Sequence, residues 1–217
     1  MTLIQIPTEQ TTAATDLLIA VLAIASANYL RKRGPGELRG RLWRIVFLLL
    51  AVASLLGAIG HGLVLGRTVY IVLWWGAYLA LALLVAAFLL ATIRDLAGDA
   101  RARQALPFLV VVAIGFFGYF ALDPDNFLPF ILYESTVMIL ALAGYIRIAI
   151  RGDMPGATWI AASITVNILA ALVQAGGSLQ VTVIWTFDHN GIFHLVQILA
   201  MGMLVYGLRC PGECPTE

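Results

Sequence analysis

The chain has 217 residues, 61% of them hydrophobic and 12% charged, with a formal net charge of +1. That is more apolar surface than a soluble domain of this length can bury, so lipid must solvate it. Its thirteen Lys and Arg residues cluster between apolar runs, which argues against an extended basic surface and against nucleic acid as a partner.

The opening stretch MTLIQIPTEQTTAATD is polar, has no positive region and shows no small-residue cleavage site after its first apolar run. No removable signal peptide is expected, and the first helix serves as its own insertion signal. Breaking the sequence at charges and Gly/Pro clusters leaves seven mainly apolar runs near 14–30, 42–65, 69–93, 105–122, 127–150, 156–177 and 187–208. Each is close to the roughly 20 residues that a spanning helix needs. The connections are short, RGDMPGA between the fifth and sixth runs being one, so successive helices are expected to pack as antiparallel neighbours. The expected fold class is therefore all-α: a seven-helix transmembrane bundle forming a single domain over 1–217.

Basic residues near helix ends are retained on the cytoplasmic side. Arg31, Lys32, Arg33, Arg39, Arg41 and Arg44 fall in the first loop, Arg94, Arg101 and Arg103 in the third, Arg147 and Arg151 in the fifth, and Arg209 after the last helix. The opposite loops hold only Arg67. This predicts an N-terminus outside and a cytoplasmic C-terminus, in a multi-pass protein read as belonging to a bacterial inner membrane. In the tail RCPGECPTE, the spacing of Cys210 and Cys214 suits a metal or a redox pair, but two cysteines cannot complete a four-ligand zinc site. Free thiols on the reducing cytoplasmic side are the competing reading.

A helix rises about 1.5 Å per residue, so topology fixes depth. His61 lies about one turn from the outer end of the second helix. Asp188, His189 and Asn190 open the seventh, with His194 one to two turns deeper. Glu134 and Ser135 lie about two turns below the start of the fifth at Asn126, and Gln174 is near the outer end of the sixth. The polar groups of several helices therefore share one layer near the outer, periplasmic face.

Ionisable groups inside a bilayer are costly and usually pair, coordinate or transfer protons. The three histidines of the chain, His61, His189 and His194, form a set from which Zn²⁺ can take neutral imidazole nitrogens while keeping a fourth position for water. A nearby carboxylate such as Glu134 would accept that water's proton. A neutral Glu134 hydrogen-bonded to another helix is the alternative, as are solvated or capping histidines at the interface. His189 and His194 are five apart and diverge on a regular helix, whereas Asn190 and His194 share a face that continues to Gln197 and Met201. Asp188 is a candidate N-cap, and Ser54, two turns below His61, either donates to a bound water or bonds back to its own helix.

The stretch Asp188-His189-Asn190-Gly191-Ile192-Phe193-His194 resembles the last helix of the CREST superfamily of seven-helix membrane hydrolases, which includes alkaline ceramidases, progestin and adipoQ receptors and GPI-remodelling phospholipases. Asp188, Phe193 and His194 match in place, while the family's first His falls on Asn190, with His189 one residue early. On the second helix His61 in SLLGAIGHG matches the His of a Ser-x-x-x-His motif whose Ser position is Gly57 here. The family's third-helix Asp has no counterpart, and Glu134 is the expected substitute. The resemblance implies a zinc-dependent hydrolase of a membrane lipid amide or ester. Its metal would be held by His61, His189 and His194, with Glu134, Ser54 and Asp188 in catalytic roles and Asn190, Ser135, Gln174 and Gln197 around the substrate. Trp74, Trp75 and Tyr78 would line an acyl-chain cavity or act as interface anchors. A non-catalytic ligand sensor of the same fold and a bis-histidine haem protein remain competing readings. A retinal Schiff base is excluded, because Lys32 in the first loop is the only lysine.

Overall fold

Pro7 fixes the first helical φ and has no N–H to leave unpaired, so the first helix starts there, well before the apolar run that begins at 14. This helix, α1, spans Pro7–Arg33 and absorbs the polar stretch TEQTTAATD into its outer turns. The computed structural model describes residues 2–33, 37–122, 128–177 and 179–209. Cys210, Cys214 and the expected helix start at Asn126 lie outside the described residues.

Among the described residues five further helices follow: α2 (Glu37–Gly62), α3 (Arg67–Leu122), α4 (Leu128–Arg151), α5 (Ala157–Ala175) and α6 (His189–Arg209). All six are long and apolar enough to cross a membrane. The chain is thus all-α, as expected for a helical membrane bundle, apart from strands of two residues. Thr2–Leu3 (β1) pairs antiparallel with Leu63–Val64 (β2), and Val181–Thr182 (β3) with Thr186–Phe187 (β4).

Helix α3 contains a break at Gly98, whose φ of 82° and ψ of 176° only glycine adopts freely. The two arms, 67–97 and 99–122, lie against each other, since the rings of Tyr78 and Phe120 approach to 3.6 Å between centroids. A longer loop over 94–104 was expected. Helix instead continues on both sides of one residue, because Asp99, Ala100, Arg101 and Ala102 tolerate helical geometry and Arg94 Nε donates to Asp99 Oδ1 at 2.8 Å across the bend. Pro107, near the expected helix start at 105, consequently sits inside the second arm.

The helices form a closed ring. Each packs on its neighbour in sequence, and α1 also packs against α6. At the end near Gly98, the ring is tied by Asp95, whose side chain is wholly buried. Arg39 Nε donates to its Oδ1 at 2.8 Å, and Tyr145 Oη and Trp43 Nε1 donate to its Oδ2 at 3.0 and 3.4 Å. One carboxylate thereby joins α2, α3 and α4. Around it lies the main apolar core, with Trp43, Phe47 and Tyr145 fully buried. Ring closure leaves the opposite half of the bundle hollow, and there the polar residues gather.

Candidate functional site

The sequence of α1 places Glu9, Thr12 and Asp16 on one stripe, three and then four residues apart, with Thr15 beside them. Because α1 lies between α2 and α6, this stripe meets the histidines of both. His61 Nδ1 donates to Glu9 Oε2 at 2.7 Å. His194 Nδ1 lies 2.9 Å from Thr15 Oγ1. The Thr15 hydroxyl hydrogen is directed to its own helix, toward the carbonyls of Thr11 and Thr12, so its oxygen accepts from the imidazole. With its proton on Nδ1, next to Glu9 Oε2 or Thr15 Oγ1, each imidazole would present its Nε2 lone pair.

His194 Nε2 faces Asp16 Oδ1 at 3.6 Å, and Asp16 is buried. Two electron-pair donors converge there. Such an arrangement is stable only with a proton or another cation between them. Space for the Asp16 carboxylate comes from Gly57 on α2, where a Cβ would stand 2.7 Å from Asp16 Oδ2.

Asp188 is the N-cap of α6 expected from the sequence: Gly191 N donates to its Oδ1 at 2.9 Å, and Ile192 N to its backbone carbonyl at 3.0 Å. Thr12 Oγ1 also donates to Asp188 Oδ1 at 3.2 Å, which ties the cap to α1. Asp188 therefore orients the helix that carries His194.

Two cavity lobes open inside the ring. The smaller, about 300 Å³, is lined by Asp16, Ser54, Gly57, His61, Trp74, Tyr78 and His194. The larger, about 640 Å³, is bounded mainly by aliphatic and aromatic side chains of α2, α3, α4, α5 and α6, including Phe47, Leu84, Phe88 and Met201. Glu134, Gln174, Asn190, Phe193 and Gln197 border both, so the lobes meet at this polar waist. Gln174 Nε2 donates to Asn190 Oδ1 at 2.9 Å across α5 and α6. Ser135 borders the larger lobe.

The structure thus brings His61, His194 and Ser54 to one lobe and places His189 on the wall of the other. No three metal-ligating side chains stand together as a ready-made cluster among the described residues. Trp74 and Tyr78 border the polar lobe, not the large apolar one, and Trp75 is exposed. Glu134 finds no partner on another helix among the described residues. Sequence reasoning missed Glu9, Thr15 and Asp16. Their spacing along PTEQTTAATD was the available signal, hidden because the expected helix started at 14 and left Glu9 and Thr12 off its face.

Residues 11–212 match the model of a family of unknown function (DUF6962), and the chain belongs to that family. No curated protein and no solved structure matches it.

Proposed function

We propose that the protein is a membrane-embedded hydrolase of a lipid amide or ester. The reading rests on one observation: the buried Asp16–His194 pair opens onto a polar lobe that continues into an apolar lobe of about 640 Å³. A concave, mainly apolar cavity with a few convergent polar groups is the usual form of a site for a largely apolar ligand. The acyl chain would lie in the larger lobe, which sets the scissile carbonyl at the waist, within reach of the smaller one.

The membrane plan that goes with this reading has seven spans, with α3 counted as two around Gly98. The N-terminus is read as outside and the C-terminus as cytoplasmic, which the distribution of Arg and Lys supports. The polar lobe then opens toward the periplasmic side of a bacterial inner membrane.

By donor type alone the lobe suits zinc, and its side chains would have to draw together to hold the ion, since they form no ready-made cluster among the described residues. Asp16, His61 and His194 offer a carboxylate and two imidazoles whose Nδ1 atoms are already engaged, as metal-ligating histidines require. Asp16, from the first helix, would take the third place expected of His189. Zinc held there would act as a Lewis acid and make a bound water acidic near neutral pH. The protein's own contributions follow from its contacts. Glu9 and Thr15 fix the two imidazole tautomers, while Asp16 holds or accepts a proton opposite His194 Nε2. Ser54 offers a hydroxyl to the lobe, and Gln174 and Asn190 brace the waist.

Elemental analysis of the detergent-purified protein and of H61A, H194A and D16N, alongside turnover of long-chain amides and esters in vesicles, tests the proposal. Stoichiometric zinc in the wild type and its loss in the variants are expected, together with loss of turnover. Wild-type protein without metal would end the zinc reading. Binding of lipid without turnover by any preparation would favour a sensor built on the same chamber.

A further inference from the structure

Glu134 borders both lobes at their junction, and among the described residues it has no hydrogen-bond or ion-pair partner. Its neighbours on the waist, Gln174, Asn190 and Gln197, are neutral carboxamides, and the first two already bond to each other. Among the described residues neither lobe has a Lys or Arg on its wall. Asp16, the other acid of the chamber, is opposed by His194 at 3.6 Å, whereas among the described residues no basic side chain pairs with Glu134, and His189 shares only the wall of the larger lobe with it. An unpaired carboxylate away from water is costly, and a bound group that carries positive charge removes that cost. An anionic headgroup at the same place would add like-charge repulsion instead.

We infer that the chamber selects a long-chain amphiphile bearing a protonated amine, with the Glu134 carboxylate as its counter-charge and the large lobe holding its chain. This rests on the reading of the chamber as a lipid site and is independent of whether any bond is cleaved there. Glu134 is then a specificity determinant at the waist, in place of the general base expected from the sequence. A charge-assisted hydrogen bond is about twice as strong as a neutral one, which corresponds to roughly a tenfold preference for an amine over an alcohol of equal chain length.

The test uses the full chain in nanodiscs of neutral phosphatidylcholine with a metal chelator present. Displacement of a fluorescent alkyl probe is read with decylamine, decanol and decanoate as competitors, each corrected for partition into empty discs. Decylamine should compete roughly tenfold better than decanol, with decanoate weakest, and E134Q should bring amine and alcohol within about twofold. Comparing wild type with E134Q cancels any contribution of the polar lobe. E134D, which keeps the charge, should retain the amine preference. Equal competition by decanol or decanoate in the wild type overturns the inference even if E134Q fails to fold, and so does an amine preference that survives in E134Q. If none of the three competes, the lipid-chamber reading falls together with the inference.

Discussion

Gly57 on α2 lies directly against the Asp16 carboxylate of α1, so that a methyl group there would reach to 2.7 Å from Oδ2. The glycine leaves space on α2 that an acid from the neighbouring helix fills. G57A should therefore displace Asp16 and destabilise the protein by roughly 1–3 kcal/mol. In a D16A background the same change should be close to neutral, a coupling readable by a double-mutant cycle of thermal unfolding in detergent. An equal cost in both backgrounds would contradict the packing described.

Thr15 holds His194 through its hydroxyl oxygen, 2.9 Å from Nδ1. T15V keeps the shape but removes the acceptor. The expectation is a loss of about tenfold or more in metal affinity and turnover with little change in melting temperature, since groups that orient a ligating imidazole have effects of that size. T15S should restore most of it. Undiminished metal affinity in T15V would separate Thr15 from the site.

Asp95 accepts from Arg39, Trp43 and Tyr145 at the opposite end of the ring. D95A strands the buried Arg39 charge and is expected to cost roughly 3–5 kcal/mol. Y145F removes one hydrogen bond and should cost about 1 kcal/mol. Chemical or thermal unfolding in micelles ranks the two, and a Y145F cost equal to that of D95A would show that Asp95 does not organise the cluster.

Gly156 caps the start of α5 at a φ of 82°, and a Cβ there would collide with the carbonyl oxygen of Gly207 on α6. Gly152 has a φ of 70° with open space around it. G152A should cost only the backbone strain, about 1–2 kcal/mol. G156A should cost clearly more, because α5 and α6 must separate. Similar melting temperatures for the two variants would rule out close backbone contact at Gly156.

The apolar runs made the helices legible, because each span must be predominantly hydrophobic to be solvated by lipid, and even the N-cap at Asp188 could be read from its position before the seventh run. The site was legible only in part. His61 and His194 stood out as ionisable groups at one depth, but hydropathy truncates a helix where it turns polar, and α1 turns polar where it meets the cavity. Starting the helix at 14 leaves Glu9 and Thr12 outside it and hides the stripe that they form with Asp16. Depth alone also could not separate His189 from His194, since facing depends on where α6 begins. The single-residue bend at Gly98 was masked by charges that suit a loop and a helix end equally well.

The contact between α1 and α6 also bears on how the protein is made. Asp16 and Thr15 leave the ribosome with α1, and His194 only with α6, so their encounter requires the four helices between them to have been synthesised and inserted first. A nascent chain halted between α2 and α6 holds Glu9 and His61 but lacks His194. The hydrophilic face of α1 must wait, without its final partner, until α6 arrives. Premature termination would then leave behind a fragment with an open seam that exposes polar groups to lipid, a defect that membrane quality control is suited to recognise.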